Sequence, residues 1–131
     1  MPNVLLRSEE SDGVVSAIET SSPPGFRGPP LHRHAFDEAF YVIEGELTFQ
    51  LRDEVFTRKA GELAFAPRDV PHTYANHSDA PARALIVCTP AGFERYFARM
   101  QAEREGVEPP AWALQEIPET IRLGPRIGED E

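Results

Sequence analysis

Between Leu31 and Thr89 the chain is cut into short runs, at about 38–44, 46–51, 54–57, 62–66, 72–76 and 82–88, each rich in aromatic or β-branched residues. Turn formers such as Gly45, Gly61 and Pro67 separate them. Runs this short and this closely spaced leave no room for the helical crossovers that a parallel sheet needs. They specify an all-β sandwich or barrel and exclude a βαβ fold. One further strand is expected at Val14 to Thr20, closed by the breaker-rich Ser21-Ser22-Pro23-Pro24-Gly25.

After Thr89 the period changes. Phe93, Tyr96, Phe97 and Met100 recur at i, i+3, i+4 and i+7, which places them on one face of a helix over 90–105. Thr89 suits the N-cap, Pro90 the first turn and Gly106 the stop. The aromatic stripe reads as core, with the helix covering an apolar face of the β-structure. Residues 107–131 carry Pro109, Pro110, Pro118 and Pro125 among charges. Trp112, Leu114 and Ile117 could form one docked segment, and the last dozen residues are open to disorder. At 131 residues the whole chain, 1–131, is expected to be one domain, with a β-core at about 14–89, the helix at about 90–105 and a tail at 107–131.

Thirteen basic against 22 acidic residues give a net charge of -9, and no compact Lys/Arg cluster offsets it, so nucleic acid is not expected as a partner. No apolar run approaches the roughly 20 residues that span a bilayer. The N-terminus has no basic region leading into a hydrophobic stretch, so a cytoplasmic location is the expectation. Cys88 is the sole cysteine, which rules out an intrachain disulfide and any cysteine-pair metal site. Its place in Ala84-Leu85-Ile86-Val87-Cys88-Thr89 reads as a buried strand position.

The chemistry-bearing residues cluster around histidine. His32 and His34 are two apart, so in extended chain both imidazoles share a face. Glu38 follows four residues on, in parity with Phe40 and Val42, and His72 emerges from the rigid Pro67-Arg68-Asp69-Val70-Pro71 loop. Antiparallel pairing can bring His72 to the other three. Three neutral imidazoles and one carboxylate offset only one charge of a divalent ion, leaving a site that favours an anionic oxygen ligand such as an enolate or carboxylate. Such mixed N/O ligands suit Fe, Mn, Ni, Co, Cu or Zn without choosing among them. Arg33 has the opposite parity and should point away. His77 breaks parity with His72 and reads as an exposed turn residue. Phe40 and Val42, with Phe49, Phe65 and Tyr74 depending on register, are candidates to line an interior pocket. The Tyr74 hydroxyl could reach a bound substrate oxygen.

These motifs resemble the cupin superfamily. The first motif stands as His32-Arg33-His34, three residues, Glu38, and six residues to Gly45; the second as Gly61, five residues to Pro67, then His72 and Asn76. Two positions depart from the pattern: Phe26 stands where a glycine is expected before the first histidine, and Asp69 where one is expected after Pro67. Asp tolerates the turn geometry that position requires. The resemblance implies a double-stranded β-helix, a jelly-roll barrel with the C-terminal helix packed against it, holding one divalent metal on His32, His34, Glu38 and His72. Asn76 matches a structural position rather than a ligand.

A narrower likeness, carried by Asp37-Glu38-Ala39-Phe40-Tyr41-Val42-Ile43-Glu44-Gly45, Val70-Pro71-His72 and Gly92-Phe93-Glu94-Arg95-Tyr96-Phe97, is to small proteins grouped with quercetin dioxygenases. It implies a dioxygenase acting on a small hydroxyketone, diketone or phenolic compound; Glu38 and Tyr74, from their place beside the expected metal, are the candidate catalytic residues. The superfamily also holds isomerases or lyases of small carbonyl or sugar-like compounds, and non-catalytic binding or sensing modules. Ala39, Tyr41 and Ile43 are apolar on the face away from the metal, so a second subunit is a candidate cover and a homodimer is expected.

Overall fold

Alternating polarity builds two layers. The computed structural model describes residues 3–130. The elements run β1 (Asn3–Leu6), α1 (Ser8–Ser11), β2 (Ser16–Ser22), β3 (His32–His34), β4 (Asp37–Glu44), β5 (Glu46–Leu51), β6 (Glu54–Lys59), β7 (Leu63–Ala66), β8 (His72–Ala75), β9 (Ala82–Thr89), α2 (Glu94–Glu105), a 3-10 turn (Ala111–Leu114) and β10 (Thr120–Arg122). They form two five-stranded sheets, ordered β1-β2-β9-β4-β7 and β10-β3-β8-β5-β6. Every pairing is antiparallel.

The expected jelly-roll barrel is not what forms. Both sheets are open, with edges at β1 and β7 in one and at β10 and β6 in the other. The reason lies where the chain crosses between sheets. Pro29, Pro30, Pro67, Pro71 and Pro81 stand at those crossings and have no N–H to carry a ladder around the corner. At the β6–β7 crossing, Gly61 N–H donates to the Val42 carbonyl and Val42 N–H to the Glu62 carbonyl, so this turn is bonded to β4 instead of joining β6 to β7. Gly45, at the β4–β5 crossing, has φ 78, and a Cβ there would stand 2.4 Å from the Pro81 carbonyl oxygen. Only glycine fits.

Inward positions form the core between the layers. Phe40 sits in register with Ala64 on one side and Ile86 on the other, and packs edge-on against Phe49 across the sheets. Phe36, Val42, Leu47, Ala82, Ala84 and Cys88 complete this cluster. Small residues beside large rings let the layers interdigitate, and each buried ring contributes about 1.5–3 kcal/mol. Burial pushes the Cys88 thiol pKa well up, as suits a packed, unreactive side chain.

Three departures from the sequence expectation bear on the site. The helix begins at Glu94, because Thr89 still belongs to β9 and its hydroxyl donates to the Val14 carbonyl instead of capping α2. The tail is built into the fold within the described residues: Arg99 of α2 donates to the Ala113 and Gln115 carbonyls, and β10 pairs along β3. Phe65, expected inside, faces outward in register with Ala39, because Ala64 and Ala66 take the inward positions of β7.

Candidate metal centre

His32 and His34 share a face of β3, as their spacing requires, and β8 sets His72 directly opposite His32. Glu38 comes from the other sheet, on β4, so the cluster bridges both layers. The donor nitrogens of the three histidines lie within 4.8 Å of one another. Glu38 Oε1 stands 3.0 Å from His34 Nε2 and 3.1 Å from His72 Nε2. All but His32 are buried, and His34 stacks face to face on Phe36 at 3.5 Å between ring centroids.

The backbone orients the rings. His32 Nδ1 contacts the Pro30 carbonyl at 2.7 Å, His34 Nδ1 the Phe36 carbonyl at 3.1 Å and His72 Nδ1 the Val70 carbonyl at 2.9 Å. Carbonyl oxygens only accept, so each Nδ1 carries a proton, and each ring, when neutral, presents an Nε2 lone pair to the cluster centre. The loop before β8 is tied to the same place. Asp69, at φ 64, takes the turn geometry that glycine was expected to supply, and its N–H donates to the His34 carbonyl at 2.7 Å.

This arrangement fits a cation. Neutral Nε2 atoms and an ionised Glu38 oxygen are all acceptors, and acceptors at 3.0–3.1 Å repel unless a proton or a metal lies between them. The titration behaviour reflects the same demand. With no metal between them a proton on Nε2 takes that place: burial alone would raise the Glu38 pKa, but hydrogen bonds donated by His34 and His72 outweigh it and hold the carboxyl at about 2. Burial alone would lower His72, yet the hydrogen bond and charge of Glu38 carry it upward. His32 is lowered, chiefly by burial. Three imidazoles and a carboxylate that stays ionised form a site capable of coordinating a divalent transition metal.

Beside the cluster lies a cavity of about 630 Å³, lined by His32, Glu38 and His72 but not by His34, which sits behind them. Phe40 and Tyr74 line it as the sequence suggested, whereas Val42 and Phe49 are spent in the core. Burial, reinforced by the charge of Glu38, drives the Tyr74 pKa far up, so its hydroxyl remains protonated and can only donate or accept a hydrogen bond. Asn76 is structural: its Nδ2 donates to the Ser22 and Ala80 carbonyls and its Oδ1 accepts from Ser78. Arg33 points away, 3.9 Å from Asp69, and His77 is exposed.

Sequence reasoning missed the far wall. The spacing of Phe93, Tyr96, Phe97 and Met100 reads as core cover, yet all four line this cavity. Arg104 continues the same helical face, a signal that was present in the spacing. Thr120 and Arg122 of β10 complete the wall beside β3; a three-residue strand in a proline-containing tail leaves too weak a pattern to find.

Comparison with known proteins accords with this architecture. The chain is 30% identical over 120 residues to endoribonuclease YbeY of Myxococcus xanthus, covering 92% of this chain and 38% of that protein. It is 28% identical over 87 residues to polyketide synthase CurC of Streptomyces cyaneus, covering 59% of this chain and 56% of that protein. The chain therefore spans well under two thirds of either relative. The crystal structure of TT1209 from Thermus thermophilus superposes with a TM-score of 0.56 at 30% identity, over 60% of this chain and 74% of that one. The cupin domain model matches residues 19–88, more than half the chain and the stretch that carries all four members of the His/Glu cluster: this protein belongs to the cupin family.

Proposed function

We propose that the protein is a metal-dependent cupin dioxygenase that oxidises or cleaves a small hydroxyketone, diketone or phenolic compound bound beside His32, His34, Glu38 and His72. The observation that carries this reading is the opening of a three-imidazole, one-carboxylate cluster onto a mostly apolar cavity of about 630 Å³, large enough for a ring-containing substrate. A divalent redox metal held there would supply Lewis acidity toward substrate oxygens and a route for electrons to dioxygen. The protein's own residues do the rest. Glu38, ionised and the sole carboxylate of the lining among the described residues, offsets one charge and leaves the site positive enough to favour a deprotonated substrate hydroxyl. Tyr74 donates a hydrogen bond to a substrate oxygen, and Phe40 and Phe93 keep bulk water from it.

The likeness of Asp37–Gly45, Val70–His72 and Gly92–Phe97 to the quercetin-dioxygenase group supports the reading. So does the likeness to a polyketide synthase protein, since polyketides carry the closely spaced carbonyl and hydroxyl oxygens such a site would take. An isomerase or lyase would need a base apart from the ligands, and no such carboxylate or histidine lines the cavity among the described residues.

The test is an oxygen-electrode screen of Fe-, Mn-, Ni-, Co- or Cu-loaded protein against hydroxyketones, diketones and phenolics, with Glu38→Gln as control. Uptake with at least one compound, lost in the variant, is expected. Uptake absent across every metal and compound overturns the reading. Uptake unchanged in Glu38→Gln removes the cluster from the reaction.

A further inference from the structure

We propose that Glu94 is the positioning residue of the cavity wall: its buried carboxylate ties the chain on both sides of Phe93 to the backbone of Ser8, and so sets how firmly the cavity holds a ligand. This rests on the reading of the cavity as a substrate site, and it adds a remote contact that governs that site.

Gly92-Phe93-Glu94 opens one of the stretches that carry the narrower sequence likeness, yet the metal cluster makes no use of its glutamate. Glu94 is completely buried. One carboxylate oxygen accepts from the Ser8 N–H and the other from the Gly92 N–H, each at 2.7 Å. Acidic residues are common at helix starts, but an exposed side chain in the first turn is enough to meet the helix dipole. Here neither donor is one of α2's own N–H groups, and Ser8 stands 86 residues away. A carboxylate taken wholly out of water is costly unless donors compensate it, so these two bonds are what hold it in place.

Phe93 is the side chain they fix. It is gripped from Gly92 on one side and Glu94 on the other, and its ring lies 5.1 Å from Phe36, which stacks on His34. Tyr96 stacks on Phe93 at 5.3 Å and Phe97 meets it edge-on at 5.2 Å, so the aromatic wall of the cavity is packed on this one ring. At the other end of the tie, α1 is a four-residue helix with no buried side chain. Besides the part-exposed Glu9–Arg95 pair, it is joined to the start of α2 through backbone, by the Ser8 N–H to Glu94 and by the Gly13 carbonyl to the Ala91 N–H at 3.0 Å.

The test measures calorimetric binding of 2,3-dihydroxynaphthalene to full-length protein loaded with zinc, which has no redox chemistry. The probe has adjacent oxygens for the cluster and a ring body for the cavity. Ser8→Pro deletes the donor N–H and leaves the carboxylate untouched. Ser8 is the first residue of α1, where proline is tolerated, and Arg7 before it is already extended at φ -103. Ser8→Pro and Glu94→Gln should each weaken the probe by about threefold to thirtyfold, with zinc content unchanged. Ser8→Ala keeps the N–H and should bind as wild type does. A merely structural role would lower the melting temperature without this loss, as Ile18→Val in the β2 core should do. Because Glu94 acts through Phe93, Glu94→Gln should cost little further affinity in a Phe93→Leu background. Wild-type affinity in both Ser8→Pro and Glu94→Gln overturns the proposal, as does full additivity with Phe93→Leu or an equal loss in Ile18→Val. Failure of wild type to bind the probe at millimolar concentration overturns the cavity reading and this proposal with it. Oxygen uptake plays no part in these readouts, so loss of the dioxygenase reading alone would leave this inference standing.

Discussion

Three carbonyl contacts to Nδ1 decide the character of the site, because they turn every Nε2 inward as a lone-pair donor. Replacing one ring removes a coordinate bond outright, while the strands that carry it stay paired. His32→Ala and His72→Ala should each lose most of about one equivalent of bound metal, measured by elemental analysis, with far-UV circular dichroism unchanged. Undiminished metal in both variants would place the ion elsewhere. Glu38 also imposes a pH dependence on the metal-free protein. Its carboxyl is held at about 2, below the ordinary 4.5, so its contribution to stability is complete above about pH 4.5 and fades as pH falls toward 2. Urea unfolding of the stripped protein should show a gap between wild type and Glu38→Gln that is widest near pH 6 and shrinks on acidification. A constant gap would mean that Glu38 is not held ionised.

At the scale of elements, the segments flanking β3 matter as much as β3 itself. Gly28 lies in the approach to this strand at φ 76, and a Cβ there would stand 1.7 Å from the Tyr74 carbonyl oxygen. Arg126 donates to the Gly28 carbonyl at 2.8 Å, and Leu123 N–H to that of Leu31, so the tail fastens over the same stretch. Gly28→Ala must push β8 away or leave the left-handed region. Its expected cost is about 1–3 kcal/mol, read as a melting temperature several degrees lower. An unchanged melting temperature would show that the β8 carbonyl can move freely. Spacing alone revealed that His32, His34 and Glu38 share inward parity. It could not reveal that α2 turns its aromatic face to a cavity instead of a core. The i, i+3, i+4 pattern is the same in both cases, and only the distance between the helix and the sheets differs.

Over the whole molecule, the outer face of the β1-β2-β9-β4-β7 sheet keeps Tyr41, Leu63 and Phe65 at 42%, 51% and 50% exposure, next to Leu85 and Val87 in register. A contiguous apolar face of this kind is costly in water, and its natural complement is a second copy across a two-fold axis. We expect twice the 14.6 kDa chain mass by light scattering at micromolar concentration, and the single mass for Phe65→Glu with metal content unchanged. A monomer throughout that range in wild type would exclude the dimer. The sequence by itself determined the short antiparallel strands, the family and the four-residue His/Glu set, because side-chain alternation and ligand spacing are local properties of an extended chain. Only the tertiary structure decided that the sheets stay open, that Phe65 faces out, and that β10 brings Arg122 to His32. Each of those depends on which edge meets which across many residues of intervening chain, and a three-residue strand or a proline corner has no local pattern from which its partner can be read.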